Sequence, residues 1–279
     1  MSSQYERRIL RVLTYIHDNP GEDLSLDQLA EVAAMSRFHW HRVFQAMTGE
    51  TCAQAVRRLR MFRAANWLLH TSWPVEKIAR SVGYPNVNSF SRVFREEIGS
   101  SPKVFQKSGK FTAQLKPKRT GDHKMFDVEI KTTPAHRLAA MKHTGAYTKI
   151  GGCFEKIAQI ATMQGLWAHS GGLVRVHYDD PNVVPEPELR SYAGLILKAD
   201  VALPEGLEEV RLTGGTYAVL RYKGPYTGIG VAYDHLFGRW LPESDKEPAD
   251  APAYEMYLNT PQDTAQEELL TEIYLPLAA

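Results

Sequence analysis

With 279 residues, 43% of them hydrophobic and 23% charged, the chain has the composition of a globular protein of two domains or one large one. No apolar run approaches the roughly 18 residues that span a bilayer, and residues 1–8 lack the basic start and apolar core of a signal peptide. Two isolated cysteines, Cys52 and Cys153, form neither a disulfide framework nor a metal-binding spacing, so a reducing cytoplasm is the expected location and no cofactor or metal is expected.

The formal charge of +1 divides unevenly. Residues 1–124 hold 20 Lys and Arg against 11 Asp and Glu, and residues 125–279 hold 13 against 21, giving nets of +9 and −8. A basic half joined to an acidic half points to a polyanion-binding module coupled to a module that avoids polyanions.

In chain order, Ile9, Val12, Leu13 and Ile16 form a helical stripe within residues 4–18, which Asn19-Pro20-Gly21 terminates. Ser25 reads as the N-cap of a short helix over 26–33, and Ser36 as the cap of the next. That next helix places Phe38, His41 and Arg42 on one face and Trp40, Val43 and Phe44 on another. A long helix is expected over 52–70, a helix after Pro74 over 75–82, another over 88–97, and a last short one from Ser101.

Arg42-Val43-Phe44 recurs as Arg92-Val93-Phe94, each followed five residues later by a glycine, Gly49 and Gly99. Leu29-Ala30 is likewise answered by Ile78-Ala79. An apolar pair, a turn and a helix rich in Arg, His and Asn is the pattern of a helix-turn-helix, here present twice. Residues 5–107 resemble the DNA-binding domain of the AraC/XylS family, most specifically through Ile78-Ala79, Gly83-Tyr84, Phe90, Arg92, Phe94, Gly99 and Pro102. The resemblance implies seven helices, with two recognition helices entering successive major grooves of promoter DNA. By position it assigns base reading to Phe38, His41 and Arg42 in the first unit and to Val87, Asn88, Ser89 and Arg92 in the second. Val87 departs from the polar residue often found there, and Phe38 admits a second reading as core. Arg reads guanine and Asn adenine, whereas Arg37, Arg63, Arg95 and Lys103 suit phosphate contacts.

Residues 108–124, polar, basic and broken by Pro117 and Gly121, read as a linker between domains at 1–107 and 125–279. The second half repeats itself. Residues 128–151 align without a gap to 207–230 at an offset of 79, matching Gly145 with Gly224, Tyr147 with Tyr226 and Ile150 with Ile229. Continued at the same offset, Phe154 matches Tyr233, Val176 matches Glu255, and Tyr178 matches Tyr257. Each copy reads β-β-α-β-β, and two copies make a pseudo-twofold α+β domain, so the fold class is multi-domain: tandem all-α helix-turn-helix units followed by α+β.

This half resembles the GyrI-like ligand-binding domain, through residues 254–259 and 271–276 in particular. The resemblance implies a cleft for small, often aromatic and cationic molecules, with an acidic residue at the position of Glu255 facing the ligand. Strand alternation turns Glu255 and Tyr257 to one side, with Val176 and Tyr178 expected beside them. A buried unpaired carboxylate is costly and awaits a cation or a proton. Tyr147 and Tyr226 read either as aromatic walls for a cation or as repeat-conforming core, and Glu255 either as the ligand-facing residue or as a salt-bridged strand residue. Three functions stay open: a DNA-binding regulator with a small-molecule effector and RNA polymerase as partner, a hydrolase in which Glu255 and a Tyr activate water, and a protein-interaction module. No catalytic nucleophile–base arrangement is present in the sequence.

Overall fold

The computed structural model describes residues 4–108, 126–181, 184–198 and 201–278. The expected linker therefore lies, from residue 109 onward, outside the described residues. Two compact units form, one of Met1–Arg37 with Thr48–Thr120, the other of Phe38–Met47 with Gly121–Ala279.

The first unit contains α1 (Gln4–Asp18), α2 (Leu26–Ala33), α4 (Cys52–His70), α5 (Val75–Ser81), α6 (Val87–Ile98) and α7 (Pro102–Ser108). Local chemistry sets the boundaries. The Ser25 hydroxyl accepts from the Gln28 amide at the start of α2, and a Thr51/Gln54 capping box opens α4. The Asn86 side chain accepts from the amides of Asn88 and Ser89, which starts α6 one residue earlier than the sequence suggests. Gly99 closes α6 at φ 90° with its amide on the Arg95 carbonyl, a conformation that favours glycine. Around α4, the residues Ile78, Ala79, Phe90, Phe94 and Phe105 bury a continuous core, with the Phe94 and Phe105 rings edge to face at 5.4 Å.

The second unit takes α3 (Trp40–Thr48, its last residue beyond the unit boundary) and an eight-stranded antiparallel sheet. The helix starts at Trp40, not after Ser36, so Phe38 and His39 precede it in a turn. The strands are β1 (Val128–Thr133), β2 (His136–Thr144), β3 (Ser170–His177), β4 (Arg190–Leu197), β5 (Glu208–Leu212), β6 (Gly215–Lys223), β7 (Tyr254–Tyr257) and β8 (Leu270–Pro276). The helix α8 (Gly151–Met163) follows β2, and α9 (Gly230–His235) follows β6.

The spatial order is β1-β6-β8-β7-β3-β4-β2-β5. Exchanging β1–β4 with β5–β8 returns the same order reversed, which places β3 and β7 side by side at the centre. Strand pairing fixes the correspondence more finely than the sequence alignment does. The β1·β6 and β5·β2 registers match one another under the exchange and are compatible with the offset of 79. The β3·β4 and β7·β8 registers, with Val174 opposite Gly194 and Tyr254 opposite Tyr274, require an offset of 80. A π turn at Leu236–Trp240, the kind of turn that absorbs one extra residue, continues α9 and has no counterpart in α8.

Alternation sorts the strands into two faces. Leu138, Val174, Val176, Tyr217, Tyr254 and Tyr274 pack together on one. Ala139, Ala193, Leu195 and Leu197 pack with Ile157 and Ala161 of α8 on the other.

Candidate functional site

In α6 the expected readers Asn88, Ser89 and Arg92 are all exposed, and at this spacing Asn88 and Arg92 share a face. Val87, at the first position of the helix, is partly buried against the core of the first unit, because its neighbours Tyr84 and Phe90 close over that end. Arg37, Arg95 and Lys103 are exposed; Arg63 is half-buried, with its guanidinium 5.2 Å from the Trp67 ring and Nη1 3.4 Å from His17 Nε2. Arg57 pairs with Glu96 and Glu97 and so ties α4 to the far end of α6.

The expected readers of the first helix-turn-helix are placed differently. His41 is buried, its Nε2 3.2 Å from Asp180 Oδ2. Arg42 lies over the Tyr233 ring at 4.7 Å and the Phe237 ring at 5.6 Å. Its Nη2 donates to the Asp179 carbonyl at 3.4 Å. Phe38 is half-buried in the turn that precedes α3.

At the centre of the sheet, β3 and β7 set Arg175 directly opposite Glu255. The Glu255 carboxylate is 1% exposed and carries four partners. Arg175 Nη2 donates to Oε1 at 2.8 Å, Tyr233 donates to Oε1 at 2.9 Å, and Tyr257 donates to Oε2 at 3.1 Å. His177 Nε2 lies 2.9 Å from Oε1 and 3.1 Å from Arg175 Nε. That nitrogen serves one partner at a time: protonated, it donates to Glu255; unprotonated, it accepts from Arg175.

Burial alone would raise the Glu255 pKa, but Arg175 first and His177 second outweigh it and hold the carboxyl well below its usual range. For Arg175, burial opposes the charge and the facing carboxylate overrides it, keeping the guanidinium charged. Burial, and then Arg175, push His177 down to about 4, so it is neutral at pH 7. Burial raises the Tyr233 and Tyr257 phenols far above their ordinary value, leaving both as donors. The cluster is a neutral Arg–Glu pair locked by two phenols.

Aromatic rings surround it. Tyr147 meets His177 edge to face at 4.9 Å and donates to the Asp179 carbonyl at 2.7 Å. Tyr226 and Phe154 flank Tyr257 at 5.2 and 5.4 Å.

Tyr147, Tyr226, Tyr257 and Glu255 are thus brought together, while Val176 and Tyr178 are not. The one-residue change of offset turns these two to the opposite face, where Val176 is core and Tyr178 meets Tyr192. Glu255 corresponds to Arg175 and Tyr257 to His177, and the carboxylate expected to be unpaired is paired within the chain. Arg175, His177 and Tyr233 are the residues that sequence reasoning missed. A lone arginine between Val174 and Val176, in a strand otherwise apolar up to His177, was the signal for the first.

Residues 126–278 match the GyrI-like small molecule binding domain family, and residues 29–108 match a helix-turn-helix domain family. The transcriptional regulator Rob of Salmonella typhimurium is 23% identical over 248 residues, 83% of each chain. The regulatory protein SoxS of the same organism is 28% identical over 102 residues, 37% of this chain and 95% of SoxS. Among solved structures, the EcmrR–DNA complex overlaps 55% of this chain and 57% of that chain at a TM-score of 0.44 and 16% identity. No helix among the described residues is long and apolar enough to cross a membrane. The chain belongs to the GyrI-like family through residues 126–278 and carries an AraC-type helix-turn-helix domain before it, and is a DNA-binding transcription regulator with a ligand-binding domain.

Proposed function

We propose that the chain is a one-component regulator, in which α6 reads promoter DNA through Asn88, Ser89 and Arg92 and the Glu255 cluster senses a flat aromatic effector. RNA polymerase is the natural downstream partner, the cytoplasm the place of action, and no catalytic step is required. The observation that carries the effector reading is a buried, fully hydrogen-bonded carboxylate ringed by Tyr147, Tyr226, Tyr257 and Phe154, inside a domain of a small-molecule-binding family. Buried polar groups of this kind are strong discriminators, since a ligand must match or replace each bond it disturbs. An effector that is also cationic has to take the place of Arg175; one that is uncharged leaves the pair intact.

A hydrolase would need Glu255 as a general base near neutral pH. Its depressed pKa and its pairing with Arg175 disfavour that role.

The test is a thermal-shift titration of the full chain with aromatic cations and their uncharged isosteres, repeated with Glu255→Gln. A ligand at 100 times its Kd should stabilise the protein by about 2.7 kcal/mol. A shift that is lost in Glu255→Gln supports the reading. Absence of any shift across a broad aromatic set, or a shift indifferent to the substitution, rejects it.

A further inference from the structure

Reading a guanine requires the guanidinium fork to reach O6 and N7 with its donors unspent. In α6, Arg92 is exposed. In α3, which packs within the same compact unit as the sheet, Arg42 is held from three sides. Tyr233 and Phe237 lie under its guanidinium, the Asp179 carbonyl accepts from Nη2, and Asp180 Oδ2 stands 3.8 Å from Nε. The Arg42 side chain is 14% exposed and that of Asp180 2%, so water screens this pair little.

His41 shares the same carboxylate. His39 stacks on Phe237 at 5.7 Å and pairs through Nε2 with the Ala251 carbonyl at 2.9 Å. The seat is close-fitting as well: a Cβ on Gly238 would come within 2.9 Å of the Ala46 methyl.

Tyr233 joins this seat to the carboxylate cluster. Its ring carries Arg42, and its hydroxyl donates to Glu255 at 2.9 Å. One side chain therefore touches both the reader and the cluster proposed to sense the effector. A rearrangement at Glu255 that withdraws or rotates Tyr233 removes the aromatic face beneath Arg42.

We propose that α3 is held in an autoinhibitory contact, in which Asp180 and Tyr233 keep His41 and Arg42 from DNA until the Glu255 cluster rearranges. The contact itself rests on the DNA-reading role of α3 and needs no effector, so it stands or falls separately from the effector reading. In the held state α6 alone engages DNA. Release adds the second helix and with it further phosphate contacts. Since the salt slope is about −0.9 per neutralised phosphate, release makes binding both tighter and more salt-dependent.

The experiment compares full-length wild type, Asp180→Asn and Asp263→Asn on a duplex that the protein itself selects from a random pool. Asp263 is exposed, so its substitution changes net charge equally without touching the seat. Asp180→Asn should bind at least fivefold tighter than Asp263→Asn, with a salt slope steeper by about 1 to 2. Equal affinity and slope for the two variants overturn the proposal. Should Asp180→Asn fail to fold, hydrogen exchange of the wild type decides. On adding DNA, amides at 87–98 should slow while those at 40–48, held on the sheet, keep their rates; slowing at 40–48 as well overturns the proposal.

Discussion

Arg175 and Glu255 face one another across the β3·β7 pair, with Nη2 2.8 Å from Oε1 and both side chains buried. Because the two strands correspond under exchange of the repeats, the same position carries a cation in one copy and an anion in the other. Neither charge is tolerable there alone. Removing one partner of a buried pair typically costs about 3–5 kcal/mol, because the survivor remains desolvated, whereas replacing both costs far less. Glu255→Gln should accordingly lower stability to urea by about 3–5 kcal/mol. Glu255→Gln combined with Arg175→Met should recover much of that loss. A single substitution within about 1 kcal/mol of wild type would show that water reaches the pair.

Acid should weaken the fold before any carboxylate titrates. His177 faces Arg175, Glu255, Tyr147 and Tyr233 and is pushed down to about 4, by burial and then by Arg175. His39 is pushed down to about 3, by burial and then by Arg42. In the unfolded chain both take up protons near pH 6.5. Between about pH 6.5 and pH 4 the unfolded state therefore binds more protons, and stability falls as pH falls. His177 alone accounts for a loss on the order of 3 kcal/mol across that window. Glu255, whose folded pKa is depressed, adds a second loss only as pH drops below the ordinary carboxylate range. Urea midpoints at pH 7.5 and pH 5 should differ clearly, and His177→Gln should remove about half of the difference, the rest belonging to His39. Identical midpoints would contradict the neutral, buried imidazole.

The two classes of cationic side chain on the DNA-binding unit should separate by their effect on specificity. Arg92 and Asn88 share an exposed face of α6, so Arg92→Ala should cost about 1–3 kcal/mol on the preferred duplex and relax the preference at one base. Lys103→Ala should weaken binding evenly across duplexes and reduce the salt slope by about 1. Equal losses on every sequence for both variants would remove Arg92 from the set of base readers.

Ala34 ends α2 at φ 51°, ψ 51°, a left-handed position whose equivalent in the second helix-turn-helix, just past α5, is Gly83 at φ 79°. The Cβ there is strained by roughly 1 kcal/mol. Ala34→Gly should be neutral to stabilising by up to about 1 kcal/mol, although most Ala→Gly changes destabilise. A loss of more than 1 kcal/mol in thermal unfolding would refute the strain.

Much of this protein was legible from local chemistry. The helix spans of the first unit were largely legible from Ser25, Asn19-Pro20-Gly21, Pro74 and the apolar periodicity, because caps and helical periodicity act over four or five residues, whereas the Thr51 and Asn86 caps emerged only in the structure. The β-β-α-β-β order of the second half was readable from Gly145 and Gly224 and from the apolar alternation around them. That Glu255 and Tyr257 share one face of their strand was also readable, since side chains alternate along a strand.

What surrounds Glu255 was not. A strand alternates with a period of two, so one added residue between Gly230 and Tyr254 exchanged Val176 and Tyr178 for Arg175 and His177 at the site. No local signal marks such a shift, because only the pairing of β3 with β7 and β4 registers it. The fate of Arg42 was likewise hidden. Its sequence context is that of a base reader, and the Tyr233 ring and Asp180 carboxylate that hold it lie well over a hundred positions along the chain. Sequence determined which side chains are available for reading DNA and sensing a ligand. Tertiary packing, acting through contacts between residues remote in sequence, decided which of them are already engaged.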